Sequence, residues 1–517
     1  MFGKKKTSYE LFEAQLDQVL FYWPVKGGKA EPVRIADLMR GIMVFGGTGS
    51  GKSSGSGNTI SKALLKQGFG ALVLCAKPDE GPRWKRYIQK IGREKDLVYF
   101  NEKSGLQFNP ILYEYSRGGD GAGETLNLVE LIMNIHLLGQ NFMSGSGGGG
   151  SNEGFWENAL RRCISRSIDL LKLAGEPVSI INMRKIMVSA LDKESVKDYY
   201  RLINELKHGD EQAKLNANEK ITAKRGKNYC LHCLIEANVN FKRKAVKNDR
   251  EEAAFELALN YFFREFANLS ERTRSTIEEF FYGLVEPFLS GILKDHFGQG
   301  ISPELWPEMT FKENKIIILD FPVKDYLVAG IYAQGLYKYM WQQAMERRRP
   351  LDADVDGNQN PVFLWVDECQ YFINPNYDTM FQTTARSSLV STIYLTQSLH
   401  NIVFTMGSNS PEARAKGLLA NMGTKIFHAN SDFDTNQWAA NMIGHDIAVL
   451  ASLGAQLGPG QAGSLSEQIL MQVQPHEFTT LKYGRKENNK KVEAYIIKTG
   501  PWAHTKKNYV LTEFEQD

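Results

Sequence analysis

A short apolar run, "GIMV" (41–44), leads into "FGGTGSGKSS" (45–54) and then into the helical pattern "TISKALLKQG" (59–68). Strand, glycine-rich turn and helix in that order fit Gly-x-x-x-x-Gly-Lys-[Ser/Thr] at Gly46, Gly51, Lys52 and Ser53. Small residues let the backbone wrap an anion with several N–H groups pointing inward, at a helix start whose dipole favours negative charge. Gly46, Gly47, Thr48, Gly49, Ser50, Gly51, Lys52, Ser53 and Ser54 are therefore the expected phosphate cradle. Lys52 should reach the β- and γ-phosphates, and the Ser53 hydroxyl should ligate Mg²⁺. A chain with this motif is expected to be α/β.

The apolar runs agree. "GIMVFG" (41–46), "ALVLCA" (71–76) and "LVYF" (97–100) are separated by helical patterns, and "KIIILDF" (315–321), "PVFLWVDE" (361–368), "STIYLTQS" (391–398) and "TKIFHA" (424–429) come late. Continuous rather than alternating apolar strands, interleaved with helices, predict a parallel sheet covered on both faces. Strand signals vanish between about 145 and 300. The turn-rich stretch "FMSGSGGGGSNEG" (142–154) opens that region, and Trp156, Leu160, Ile164, Ile168 and Leu171 follow at helical spacing. The expected organisation is a nucleotide-binding domain in two parts, 1–145 and 301–517, around an inserted all-α domain, 146–300.

A phosphate loop needs an acidic strand end to hold the metal and activate water. "PVFLWVDECQ" supplies Asp367 as the metal residue and Glu368 as general base. The adjacent glutamate favours hydrolysis over kinase chemistry. No Asn/Thr-Lys-x-Asp segment, the usual guanine reader, is present, so the expected nucleotide is ATP. Gln397 ends the strand after the acid pair, where its amide could bond both the γ-phosphate and the lytic water. Arg386 begins that unit and reads either as a surface ion-pair residue or as a finger reaching a neighbouring subunit's nucleotide.

Composition excludes several classes. With 517 residues and a net charge of +3, a nucleic-acid site must come from local clustering of charge. Residues 203–250 hold eleven Lys/Arg against six Asp/Glu. A solvated helical face is the expectation there, with a DNA-facing patch as the alternative. Five scattered cysteines (Cys75, Cys163, Cys230, Cys233, Cys369) fit a reducing compartment. "CLHC" (230–233) has metal-ligand spacing but no second Cys/His pair at a zinc-finger interval, and Cys369 has no histidine dyad. His400 and His428 read as structural. No signal peptide and no membrane-length apolar run is seen, so a cytoplasmic location is expected, or one at the inner membrane through a partner.

"GGTGSGKS", "FNPI" (108–111), "ERTRSTIEEF" (271–280), "IIILDFPVKDY" (316–326), "FLWVDE", "ARSSLVSTIYLTQSL" and "NMGTKIFHANSDFDTNQWAANMIG" (421–444) occur in the order of the VirD4/TraD/TraG family of type IV secretion coupling proteins. The chain resembles that family from about residue 40 to its C-terminus, and the tail "VQPHEFTTLKYGRKENNKKVEAYIIKTGPW" resembles the family's final strands. The resemblance implies a RecA-like, additional-strand P-loop NTPase domain with an inserted all-α domain. Arg386, eighteen residues after Glu368, and Gln397, twenty-nine after, match the family's arginine finger and catalytic glutamine.

Two features depart from the pattern. Members usually carry an N-terminal membrane anchor, whereas this sequence begins with the soluble part. Where the second strand typically ends in an Asp-Pro-Lys type segment, this chain reads "LCAKPDEG" (74–81), with Cys75 at the Asp position; Lys77 is kept but is assigned no role.

The expected function is ATP-driven translocation of conjugative DNA, or of a relaxase–DNA substrate, to a type IV secretion channel. The implied cofactors are ATP and Mg²⁺; the implied partners are DNA, relaxase or relaxosome proteins, channel components and other copies in a homo-hexamer. Two alternatives are carried. One is a soluble HerA/FtsK-like translocase on double-stranded DNA in repair, packaging or defence. The other is a substrate-recruiting platform that uses ATP as an assembly switch.

Overall fold

The computed structural model describes residues 13–143, 153–244, 248–348, 360–407, 410–453, 463–484 and 486–516. The chain forms two compact units, one of Met1–Ser104, Asn141–Ser146 and Pro307–Asp517, the other of Gly105–Gln140 and Gly147–Trp306.

The strands of the first unit are β1 (Val19–Trp23), β2 (Glu31–Arg34), β3 (Ile42–Phe45), β4 (Gly70–Leu74), β5 (Leu97–Asn101), β6 (Ile316–Asp320), β7 (Val362–Val366), β8 (Val390–Thr396), β9 (Thr424–His428), β10 (His445–Leu453), β11 (Gly463–Met471), β12 (Lys491–Lys498) and β13 (Tyr509–Glu515). Nine of them make one sheet in the order β13-β12-β9-β3-β8-β7-β4-β6-β5. The strands from β9 to β5 are mutually parallel, while β12 runs antiparallel to both β9 and β13. Every residue of β3, β4, β7 and β8 is buried, which is why these segments read as unbroken apolar runs. One face packs Ile60, Leu64, Trp84, Ile88 and Trp365 with Ile42, Val44, Val73 and Ile393. β1 and β2 form a separate antiparallel ribbon, with Trp23 edge-on to Phe514 of β13 at 5.5 Å between ring centroids. β10 and β11 form a two-stranded hairpin.

All seven strand signals of the sequence fall on strands of this sheet. β3 carries the phosphate loop and β7 the acid pair, and β8 lies between them. That inserted strand is the additional-strand arrangement.

The second unit is helical among the described residues; its extended pairing there is a single bridge, Phe108 to Ile301. In the helix Glu153–Ala174, Leu160, Ile164, Ile168 and Leu171 are buried as their spacing predicts. The unit begins at Gly105, whereas the sequence reading set the insertion's start at 146. The difference arises because the chain turns helical soon after β5. Asn109 caps Pro110–Ser116 by accepting from the Leu112 amide at 3.0 Å, and Thr125–Met143 follows. The glycine-serine stretch is conspicuous in composition but does not mark that boundary, and its residues 144–152 lie outside the described residues.

Within the basic stretch, Lys214 pairs with Glu211, Lys224 with Asp198, Arg225 with Glu236 and Lys244 with Glu251, so four of its eleven cations are ion-paired inside the helical unit. Cys230 and Cys233 are both buried on the helix Tyr229–Arg243, and no metal-holding group of three His, Cys, Asp or Glu occurs among the described residues. Among those residues no helix is long and apolar enough to cross a membrane.

Candidate nucleotide site

β3 delivers the chain into residues 46–55 at the C-terminal edge of the parallel strands, and the following helix is Ser56–Lys66. Two glycines are fixed by geometry. Gly51 has φ +88°, and a Cβ there would sit 2.6 Å from Val492. A Cβ on Gly57 would lie 2.8 Å from both the Lys52 carbonyl oxygen and the Trp365 ring, so this glycine lets the helix press against β7. Gly57→Ala is expected to cost about 1–3 kcal/mol by overpacking and to lower the unfolding temperature in a thermal melt. An unchanged melt would show that the contact relaxes freely.

The sheet order brings the predicted residues together. Ser53 Oγ donates to Asp367 Oδ2 at 2.7 Å, and Lys52 Nζ lies 3.8 Å from Glu368 Oε1. Lys77 Nζ donates to the same Glu368 oxygen at 2.7 Å, and Gln370 Nε2 to the other at 2.9 Å. Gln370 in turn accepts from the Thr396 hydroxyl at 2.9 Å, which links the acid pair to the residue before Gln397. Glu368 itself adopts φ +48°, ψ +52°, a left-handed backbone that costs a non-glycine residue about 1–2 kcal/mol.

Burial pushes the Glu368 carboxyl up, but Lys52 and the hydrogen bonds from Lys77 and Gln370 outweigh it and hold the group at about 2. The carboxylate is therefore charged, and both of its oxygens are engaged. Burial draws the Lys77 ammonium down, and Asp367 and Glu368 more than reverse this. Below the loop, Ser56 Oγ and His428 Nε2 are 2.7 Å apart. Burial lowers the His428 ring to about 3, so it is a neutral structural group, as read from the sequence. His400 is instead on the surface, 2.8 Å from Asp434.

The acid strand end is braced from behind. Lys338, from the helix Val323–Arg347, is fully buried and bonds Asp378 Oδ2 at 2.5 Å and the Phe372 carbonyl at 2.8 Å. Asp378 also accepts from the Asn374 amide at 2.8 Å and from Gln342 at 2.7 Å. This network fixes residues 372–378 just beyond Glu368.

A cleft of about 530 Å³ lies over these groups. Gly47 to Ser54, Lys77, Arg83, Arg86, Tyr87, Lys90, Asp367, Glu368 and Gln397 line it. Its side chains carry five cations against two acids, a balance suited to a polyphosphate. Ser53 Oγ and Asp367 Oδ2 are adjacent hard-oxygen donors, and Mg²⁺ is ordinarily held by one or two such protein oxygens together with phosphate and water. The Ser50 hydroxyl, buried in the loop, has no hydrogen-bond partner among the described residues. The residues present thus fit a magnesium–nucleotide complex.

Arg386 lies elsewhere. It is in the turn before β8, at the opposite strand end from Gln397, with its side chain 46% exposed and 3.7 Å from Glu13. It does not line the cleft of its own chain. The sequence assigns no place at this site to Lys77, Gln370, Arg83, Arg86 and Lys90, which the structure brings to it. The last three had a legible signal, since spacings of three and four put them on one helical face.

Residues 361–488 match the family model described as the TraM recognition site of TraD and TraG. The bacterial conjugative coupling protein TrwBdeltaN70 in its unbound form is similar in structure, with a TM-score of 0.59 at 12% identity over 99% of this chain and 92% of that one. TrwB in complex with a non-hydrolysable ATP analogue gives 0.58 at 12% identity over 97% and 95%. TrwB with ADP and Mg²⁺ gives 0.55 at 13% over the same shares. No curated protein sequence matches the chain. The chain shares the fold of these structures, a RecA-like P-loop domain with an all-α domain, and its residues 361–488 match the model of a segment found in TraD and TraG.

Proposed function

We propose that this chain is an ATP-hydrolysing, DNA-translocating coupling protein of conjugative transfer. The observation that carries the reading is the convergence of Lys52, Ser53, Asp367 and Glu368 across an inserted strand that leads into Gln397. The solved complexes of TrwB with an ATP analogue and with ADP and Mg²⁺ support the choice of nucleotide and metal. The description of the 361–488 match supports contact with relaxosome proteins.

In this reading the 46–54 loop cradles the triphosphate, and Lys52 neutralises its β- and γ-oxygens. Ser53 and Asp367 would hold Mg²⁺, which when bound would offset the charge of the triphosphate. Gln397 orients the lytic water and Glu368 accepts its proton. The water oxygen bonds to the γ-phosphorus as the bond to the β–γ bridging oxygen breaks, giving ADP and inorganic phosphate. Arg386, at the far end of β8, completes the site of a neighbouring subunit in a homo-hexamer, so hydrolysis depends on assembly. Loss of the γ-phosphate at one interface then shifts that subunit against the next. DNA is held through phosphate contacts that salt weakens, and is passed toward the secretion channel.

The test is ATP turnover without DNA, with single-stranded DNA and with duplex DNA, using Lys52→Ala as blank and GTP as the competing nucleotide. Turnover that DNA stimulates, and that added salt suppresses, is the expected result. Stimulation by duplex DNA alone would favour the HerA/FtsK-like translocase. DNA-indifferent turnover at the level of the blank would contradict a motor and leave the recruiting platform.

A further inference from the structure

Lys77 reaches the cleft from β4, not from the phosphate loop or from the acid strand. β4 pairs directly with β7, with Leu74 opposite Val366, so three residues further on Lys77 overhangs Asp367 and Glu368. The loop that carries it is rigidly held. Gln334, fully buried, accepts from the Cys75 amide at 2.7 Å and donates to the Cys75 carbonyl at 3.0 Å. Glu80 accepts from the Ala76 amide at 2.7 Å and from the Lys77 amide at 3.3 Å. A backbone fixed on both sides aims one long, partly exposed cation at Glu368 Oε1, 2.7 Å away.

In this arrangement the general base is weakened. One oxygen of Glu368 accepts from Lys77 and the other from Gln370, and both bonds stabilise the charged carboxylate and make it a poorer proton acceptor. The Lys77 ammonium is also a lining group of the cleft where a triphosphate would lie. A γ-phosphate, with more charge than the carboxylate, competes for the same ammonium donors. Lysine suits such an exchange, because its ammonium is a point charge on a flexible stem, whereas a guanidinium fork would hold the carboxylate by two bonds.

We propose that Lys77 is a positioning residue that reads the γ-phosphate: it holds Glu368 in the nucleotide-free site and transfers to a terminal phosphate oxygen when a triphosphate binds. Glu368 is then released to accept the water proton only while a γ-phosphate is present. A diphosphate leaves the Lys77–Glu368 contact in place. The inference rests on the ATPase reading above.

Three full-length forms test it: wild type, Lys77→Met and Lys77→Arg. Affinities for ADP and for a non-hydrolysable ATP analogue, each with Mg²⁺, are measured by calorimetry, and turnover by phosphate release. Lys77→Met is expected to bind the ATP analogue about tenfold more weakly, as the loss of one charge-assisted hydrogen bond implies, with ADP affinity unchanged; kcat at saturating ATP is lowered because the γ-phosphate loses a cation that offsets its developing charge. Lys77→Arg should restore most of the analogue affinity while its kcat stays low, because the fork releases Glu368 poorly. Equal losses of ADP and analogue affinity in Lys77→Met would show a general role in the cleft and overturn the proposal. Unchanged binding and turnover would overturn it as well. A wild-type chain that binds neither nucleotide would overturn the ATPase reading and this inference together; normal wild-type binding and turnover with an indifferent Lys77→Met would overturn this inference alone.

Discussion

Glu368→Gln is expected to lower ATP turnover by about 10²–10⁴-fold, the usual contribution of a positioned general base. Nucleotide affinity should remain within a few-fold of wild type. The amide keeps the shape of the side chain and can still accept from Lys77 or Gln370, but it cannot accept a proton at neutral pH. It also removes the negative partner of Lys52, 3.8 Å away, which leaves that cation more available to phosphate. The expected signature is a variant that binds ATP and retains it. Phosphate release measured beside equilibrium nucleotide binding checks both halves. Turnover within tenfold of wild type would move the general-base role to another group.

Lys338→Met is expected to destabilise the first unit by about 3–5 kcal/mol, the cost of leaving one member of a buried ion pair uncompensated. Asp378 would keep Gln342 and the Asn374 amide but lose its cation, in a site with no exposed surface. The change has a second effect, because Lys338 also holds the Phe372 carbonyl close behind the acid pair. Lys338→Met together with Asp378→Leu should recover much of the loss, since an apolar pair of similar volume avoids the desolvation penalty. Chemical denaturation of the three proteins separates these cases. A single variant as stable as wild type would mean that the pair contributes nothing to the fold.

The parts legible in the sequence were those where burial leaves no choice of residue. β3, β4, β7 and β8 are buried on both faces and appear as unbroken apolar runs, so their positions and the two motifs at their ends could be read directly. β13 alternates buried and half-exposed residues in "YVLTEFE", a weaker strand signal than an unbroken apolar run. The β10–β11 hairpin exposes Ile447, Val449 and Ile469, so no pattern of burial marked it.

The same contrast holds at the site. Lys52, Ser53, Asp367 and Glu368 belong to short motifs whose spacing carries the chemistry. Lys77 acquires its position only through the pairing of β4 with β7, and strand order cannot be read from spacing along the chain. The start of the helical unit was misplaced for a related reason. Composition marks where the chain is rich in glycine, whereas the unit begins where helices capped by Asn109 and its successors first pack on one another.

A catalytic site shared between subunits makes hydrolysis depend on residues from two chains. The direct measurement uses two full-length variants, Glu368→Gln and Arg386→Ala, assayed for ATP turnover singly and as an equimolar mixture at concentrations where the wild type assembles. Each variant alone should be nearly inactive. In the mixture, any interface that joins Glu368 of an Arg386→Ala chain to Arg386 of a Glu368→Gln chain is intact, so turnover should rise well above that of either variant. A mixture no more active than the mean of its components would contradict a site completed by Arg386 of a neighbouring subunit.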